Sequence, residues 1–260
     1  MNPHPRKLLI VNADDFGMSE QTNEGIIYAH EHGIVTSASL MVDAPAAVHA
    51  VDLWRKTSQP KRGIKVRHGC GLSLGLHLYL GEWQLCDGEW QQTRQQVVLD
   101  DAAALRAEIM RQCQAFERLV GRPPTHVDSH QHAHKRRGVS DAIKQAVSSS
   151  QVTVRHFSDR VRFWGAFFAR DADMRPRPQH ISTEGLIKIL YGLADGCTEL
   201  SCHPGLDLNL ACDYRAERPM EVLTLTSPQL PVMLRQLNIK LSNFAFIQSG
   251  VGRPAARSQR

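Results

Sequence analysis

Short apolar runs alternate with amphipathic helical patterns along most of this chain, and that alternation is the strongest constraint on its fold. Lys7–Asn12 is a continuous apolar run of the kind buried on both faces in a parallel sheet. Ser19–Glu31 reads as a helix that Ser19 can cap and Gly33 can end. Val35–Val42 predicts a strand, Ala44–Lys56 a helix, and Gly71–Leu80 a further strand. Asp100–Val120 is the clearest helix, with Leu105, Ile109 and Phe116 at three-and-four spacing and Asp100 or Asp101 as its cap. Downstream we expect a helix at Val139–Val147, a strand at Val152–Phe157, a helix at Ser182–Ala194 and a strand at Cys197–Cys202. Asp213–Glu221 reads only as a polar, charged segment, Ser227–Leu237 as a helix and Leu241–Ile247 as a last strand. The alternation implies an α/β fold with crossover helices. With no repeat or linker apparent, residues 1–248 are expected to form one domain and 249–260 a disordered tail. Gly81–Leu99, polar and carrying Trp83 and Trp90, reads as a long loop beside the site, and Ser158–His180 shows no clear periodicity.

The ends of the strands carry the chemistry. Thr125–His134 reads THVDSHQHAH. If it is extended, His126, Asp128, His130, His132 and His134 share one face, a poor choice for packing and a good one for a divalent metal. The competing reading is a surface histidine cluster, or a strand whose polar side faces water. The first strand ends in Asp14 and Asp15, two carboxylates where a helix cap needs only one. His77 lies opposite the leucines of Gly71–Leu80, and His203 follows Cys197–Cys202 just before Pro204 and Gly205. Carboxyl ends of parallel strands are where α/β folds place active sites. One carboxylate and two imidazoles would leave open positions on a metal, whose bound water reaches a pKa near 7 and can attack an amide or ester. A second aspartate can take the proton from that water, and a separate histidine can protonate the leaving group.

The formal net charge of +5 comes from scattered residues, with one dense run at Lys135–Arg137 and Arg253, Arg257 and Arg260 near the end. No nucleic-acid motif accompanies them, so no nucleic-acid partner is expected. Cys70, Cys86, Cys113, Cys197, Cys202 and Cys212 form no C-x-x-C pair and read as buried free thiols in a reducing compartment. There is no apolar leader and no transmembrane segment, so a cytoplasmic location is expected.

Four motifs together, NADDFG (Asn12–Gly17), GLHL (Gly75–Leu78), THVDSHQHAH and ELSCHPG (Glu199–Gly205), resemble the YdjC-like family. Its best-known members are similar to chitooligosaccharide deacetylase, and one subgroup is associated with hopanoid biosynthesis. The resemblance runs in order from Leu8 to Ile247. It implies an irregular (β/α) barrel like that of NodB-type polysaccharide deacetylases, and one divalent metal ion held by Asp15, His77 and His130. It further implies Asp14 as catalytic base and His203 as acid or oxyanion partner, with no role fixed for His132 and His134. The substrate it implies is a small N-acetylated saccharide or glycoconjugate, and it leaves room for a homodimer. Magnesium is the metal usually associated with the family, whereas two histidines and a carboxylate suit zinc, iron, manganese or cobalt better. Two segments depart from the pattern: YLGEWQLCDGEW after His77, and Ser158–His180. The alternatives are a metal phosphoesterase, with Arg155 and Lys135–Arg137 holding phosphate, and a non-catalytic metal-containing carbohydrate-binding protein.

Overall fold

The computed structural model describes residues 7–57, 71–136, 138–148, 152–210 and 212–249. In chain order the first half runs β1 (Lys7–Phe16), α1 (Glu20–His32), β2 (Ser37–Leu40), α2 (Ala47–Thr57), β3 (Ser73–Leu78), β4 (Gly81–Cys86), β5 (Glu89–Gln95), α3 (Ala102–Val120) and β6 (His126–Ser129). A 3-10 turn at His130–Lys135 leads to α4 (Val139–Ala146), β7 (Thr153–Val154) and β8 (Val161–Trp164). A second 3-10 turn, Pro178–Ile181, precedes α5 (Thr183–Gly192), β9 (Gly196–Cys202), α6 (Glu217–Leu225), α7 (Gln229–Gln236), β10 (Ile239–Leu241) and α8 (Phe244–Gln248).

Eight parallel strands form one sheet in the order β7-β6-β3-β2-β1-β9-β8, with β10 paired to the start of β1. The sheet curls into a nearly closed barrel whose seam lies between β7 and β8. The period-two alternation sorts its side chains. Leu9, Val11 and Ala13 of β1 and Leu74, Leu76 and Leu78 of β3 pack outward with Ile26, Val51, Ile109 and Phe116 of the helices. Their neighbours Asn12, Asp14, Ser37, Ser39, Ser73, His77 and Asp128 are equally buried but polar. They face the interior, where they bond one another. Ile10, Val161, Cys197 and Phe244 close the interior from below with a small apolar cluster. The expected caps form: Ser19 Oγ accepts from the Thr22 N–H, and Asp101 accepts from the Ala103 and Ala104 N–H groups.

Several sequence expectations give way to the structure. Thr125–His134 is not one strand. Pairing with β3 stops at Ser129, after which Gln131 and His132 take φ of 50° and 53° and the chain winds into a 3-10 turn. Ser129 Oγ accepts the His134 N–H and holds that turn. Gly81–Leu99 is largely an antiparallel hairpin rather than a loop, turned at Asp87 and Gly88 with φ of 52° and 83°. Such Asp-Gly pairs favour this reversal because both residues tolerate positive φ. Leu241–Ile247 fails as a strand because Asn243 accepts the Phe246 N–H and starts α8. The strand expected at Val152–Phe157 shrinks to Thr153–Val154. Ser158–His180 supplies β8, which pairs with β9, and the charged segment at Asp213–Glu221 runs into α6. All five described cysteines are free thiols, but only Cys197 and Cys202 are buried as expected, while Cys86, Cys113 and Cys212 are half-buried. Cys70, Arg137 and the expected tail beyond Ser249 lie outside the described residues.

Candidate metal centre and active site

Asp15 leaves the end of β1, His77 stands near the end of β3, and His130 follows β6, so three separate strand ends converge. Asp15 Oδ1 lies 3.3 Å from His77 Nε2 and 3.2 Å from His130 Nδ1. One donor atom from each of the three residues falls within 4.8 Å of the others.

Adjacent residues on a flat strand point to opposite faces, yet Asp14 and Asp15 both serve this end of the barrel. A bulge makes that possible. The β1–β2 register slips between Ala13 and Phe16, and Asp15 takes a φ of 65°. Asp14 keeps the inward direction and is gripped by Arg155, whose Nη1 and Nη2 donate to its two oxygens at 2.7 Å each. Asp15 swings towards the two histidines and takes a 2.6 Å bond from Arg218 Nη2.

Arg155, which follows β7, spans the interior. Its Nη2 also lies 2.8 Å from Asp128 Oδ2, and its Nε donates to Glu199 Oε1 at 2.8 Å. Ser39 Oγ and Asn12 Nδ2 add bonds to Asp128 and Asp14, at 2.6 and 2.8 Å. His77 Nδ1–H donates to Asp128 Oδ1 at 2.6 Å and leaves Nε2 turned to Asp15. A carboxylate behind the far nitrogen is the usual way a metal-ligating histidine is oriented.

The charges explain why the site suits a cation. Burial alone would raise Asp14, Asp15 and Asp128, but Arg155 holds Asp14 and Asp128 below the ordinary carboxylate value, and Arg218 does the same for Asp15. Counting Glu199, which burial pushes up to about 7, four carboxylates face two guanidinium groups, and negative charge is left over. His77 responds: burial pulls it down, yet Asp128, Asp15 and Asp14 push it up to about 10. The residues draw a proton to the point where a divalent ion would sit, so the donor set fits a metal.

His203 follows β9. Its Nε2 lies 3.9 Å from Asp14 Oδ2, and burial pulls the imidazole down to about 4. Its backbone N–H donates to Glu221 Oε2 at 2.5 Å. Glu221 also accepts from the Tyr214 hydroxyl at 2.7 Å, and burial pushes its carboxyl up to about 8. His126, expected on the metal face, instead packs below the site against Phe244 with ring centroids 3.9 Å apart, and bonds Ser39 Oγ at 3.0 Å. Gly75 makes room for it, since a Cβ there would overlap the His126 ring. Sequence reading missed Arg218 and Glu221 and gave Arg155 only a phosphate-binding alternative. The available signal was the placement of Glu217, Arg218 and Glu221 three and four residues apart in α6, all of them buried.

The sequence profile described as YdjC-like protein matches residues 8–236. The chain belongs to the YdjC-like family. A Vibrio vulnificus (strain YJ016) protein named carbohydrate deacetylase is 31% identical over 91% of this chain and 95% of its own length. A Serratia marcescens protein named chitooligosaccharide deacetylase is 30% identical over 92% of this chain and 98% of its own. Among solved structures, one from Enterococcus faecalis V583, named for cellobiose-phosphate cleavage, superposes with a TM-score of 0.74 at 24% identity, covering 93% of this chain and 99% of that one. A Streptococcus mutans CE4 esterase shares the fold at a TM-score of 0.56 and 13% identity, with 92% and 87% covered. The irregular barrel of NodB-type deacetylases expected from the sequence is therefore the fold of this YdjC-like chain.

The β4–β5 hairpin is fastened to the 3-10 turn that carries His130. Gln131 clamps it, accepting from the Trp83 N–H and donating to the Trp83 carbonyl, both at 2.8 Å. Arg136 stacks over the Trp83 ring at 4.1 Å, while Trp90 is exposed. Among the described residues, no helix is long and apolar enough to cross a membrane.

Proposed function

We propose that this YdjC-like protein hydrolyses the acetyl group from an N-acetylated sugar or glycoconjugate, with a divalent ion held by Asp15, His77 and His130. The observation that carries the reading is the meeting of those three donors beside Asp14 and His203, in a fold and family shared with named carbohydrate deacetylases. When bound, the ion polarises the acetyl carbonyl and makes a water nucleophilic at neutral pH. Its donor set favours a transition metal such as zinc over magnesium.

The chain's own residues handle the protons. Arg155 keeps Asp14 ionised at neutral pH and fixes its orientation, so Asp14 is ready to accept a proton from the attacking water. His203 starts unprotonated, because burial holds it near 4. It therefore receives its proton during the reaction. Asp14 Oδ2 lies 3.9 Å from His203 Nε2, a gap that one bridging water closes for the proton to pass. His203 then delivers it to the departing amine, and the sugar leaves with a free amino group beside acetate. Glu221 steadies His203 through the backbone bond. The β4–β5 hairpin, with Trp90 exposed, offers an aromatic face to the sugar.

The phosphoesterase alternative loses its anchor, since Arg155 is engaged by Asp14, Asp128 and Glu199. A mixed panel of N-acetylated oligosaccharides and sugar phosphates tests the assignment. Acetate release that requires added metal and disappears in His77→Ala supports it. Release of phosphate in place of acetate, or no turnover of any N-acetyl sugar, would overturn it.

A further inference from the structure

Three histidines that the reaction above does not use gather at the seam of the barrel. His132 and His134 come from the 3-10 turn after β6, and His156 follows β7 by two residues. One ring nitrogen from each lies within 4.8 Å of the other two. His134 Nε2 stands 2.8 Å from His156 Nδ1. The His132 ring meets both edge-on, with centroids 5.6 and 5.3 Å away. In a tetrahedral zinc site, bonds of about 2.0–2.1 Å put ligand nitrogens about 3.3 Å apart, so this pair needs to open by only about half an ångström.

An ordinary hydrogen-bonded cluster is the plain alternative, and three details count against it. His132 Nδ1 is buried with no hydrogen-bond partner, a costly orphan that a ligand would satisfy. His134 Nδ1 is fixed by Ser129 Oγ at 2.8 Å, which sets the ring as second partners set liganding histidines. His132 and His156 hold φ of 53° and 67°, a conformation that side-chain-bearing residues avoid unless something holds them there. A cavity of about 420 Å³, lined by His156, Arg162, Phe163 and Trp164 among others, borders the cluster on the His156 side.

We propose that His132, His134 and His156 form a second metal site, for zinc or a similar transition ion, distinct from the Asp15–His77–His130 centre. Three imidazoles with no carboxylate select such ions over magnesium. The site joins the turn that presents His130 to the segment after β7 that presents Arg155. It does not depend on the deacetylase reading.

Zinc content after loading metal-free protein and desalting tests the assignment, read by elemental mass spectrometry. Wild type should retain about two ions per chain, and both His156→Ala and the double variant His77→Ala/His130→Ala about one. His156 is exposed, so its removal should leave the fold intact, which circular dichroism checks. Zinc should still raise the melting temperature of His77→Ala/His130→Ala, magnesium should not, and adding His156→Ala should erase the zinc effect. One ion in wild type with no loss in His156→Ala, or two ions retained by His156→Ala, overturns the second site. Full zinc retention by His77→Ala/His130→Ala would instead count against the catalytic centre, so the two failures are separable.

Discussion

Replacing Arg155 with methionine asks whether one guanidinium organises the barrel interior. Arg155 is 2% exposed and bonds Asp14, Asp128 and Glu199 at 2.6–2.8 Å. Removing one partner of a buried ion pair costs about 3–5 kcal/mol, because the other charge stays buried and alone. Here three carboxylates are stranded, but Glu199, already pushed up to about 7 by burial, takes up a proton at little cost near neutrality. A loss of about 4 kcal/mol at pH 7 is the expected result. In wild type, Asp14 and Asp128 are held below the ordinary carboxylate value, so they add stability at neutral pH that fades as pH falls through their folded values. Without Arg155, burial dominates and raises both groups. Their contribution reverses sign, and acid then relieves the variant by protonating them. The stability gap, read from urea midpoints with an unchanged slope, should therefore narrow between pH 7 and about pH 4.5. Deacetylation should collapse alongside, because a protonated Asp14 cannot accept a proton. A gap below about 1 kcal/mol, or one indifferent to pH, would refute the reasoning.

Other substitutions probe separate parts of the site. Gly75→Ala pushes a methyl into the His126 ring, which Phe244 backs at 3.9 Å, so thermal unfolding should report a loss of about 1–3 kcal/mol; an unchanged midpoint would mean the ring has room to move. Asp14→Asn should keep the metal and lower kcat by roughly 10²–10⁴-fold, whereas Asp15→Asn should weaken metal binding and be partly rescued by excess ion. The opposite pattern reverses the two assignments, and near-normal turnover in both would sink the mechanism. Glu221, raised by burial to about 8, costs the fold stability as pH climbs from its unfolded value through 8. Wild type should therefore lose more melting temperature between pH 6 and pH 9 than Glu221→Gln, and parallel losses would deny the shift.

Much of this was legible in the sequence because strand periodicity and reactive residue types are local signals. Asp14, Asp15, His77, His130 and His203 each sit at or near the end of a strand-like stretch, and the parallel sheet brings those ends together without any long-range information. The limits are equally physical. Thr125–His134 alternates perfectly for a strand, but the strand ends where its partner β3 ends, at Leu78 opposite Ser129, and that length is set by the neighbour. The bulge that turns Asp15 is likewise a property of the β1–β2 pair. Arg155 and Arg218 could be seen in the sequence, but their carboxylate partners are 141 and 203 residues away. The hairpin at Gly81–Gln95 was a different failure: Asp87-Gly88 was a local turn signal, but the polar, exposed β5 after it lacked the apolar alternation that would have given it weight.

Backbone strain in this chain is concentrated where its chemistry is. Of seven non-glycine residues at positive φ among the described residues, four border the two histidine centres: Asp15, Gln131, His132 and His156, at 65°, 50°, 53° and 67°. Each such residue costs of order 1–3 kcal/mol and persists only if its surroundings hold it. His156 allows the cost to be isolated, because it is exposed and its side chain can be removed in two ways. His156→Ala and His156→Gly both lose the imidazole, its bond to His134 and any zinc it binds, so those effects cancel between them. What remains is the Cβ. Alanine normally wins such a comparison by about 0.4–1 kcal/mol, because glycine gains more freedom on unfolding. At a left-handed φ, alanine carries a penalty of roughly 1–2 kcal/mol that glycine escapes. The balance tips to glycine by up to about 1.6 kcal/mol, with the order of the two variants reversed from that of an ordinary loop site. Urea midpoints measured in chelator would show it. Should the alanine variant prove the more stable, His156 is not strained, and the case that this turn is held in place for metal binding loses one of its three supports.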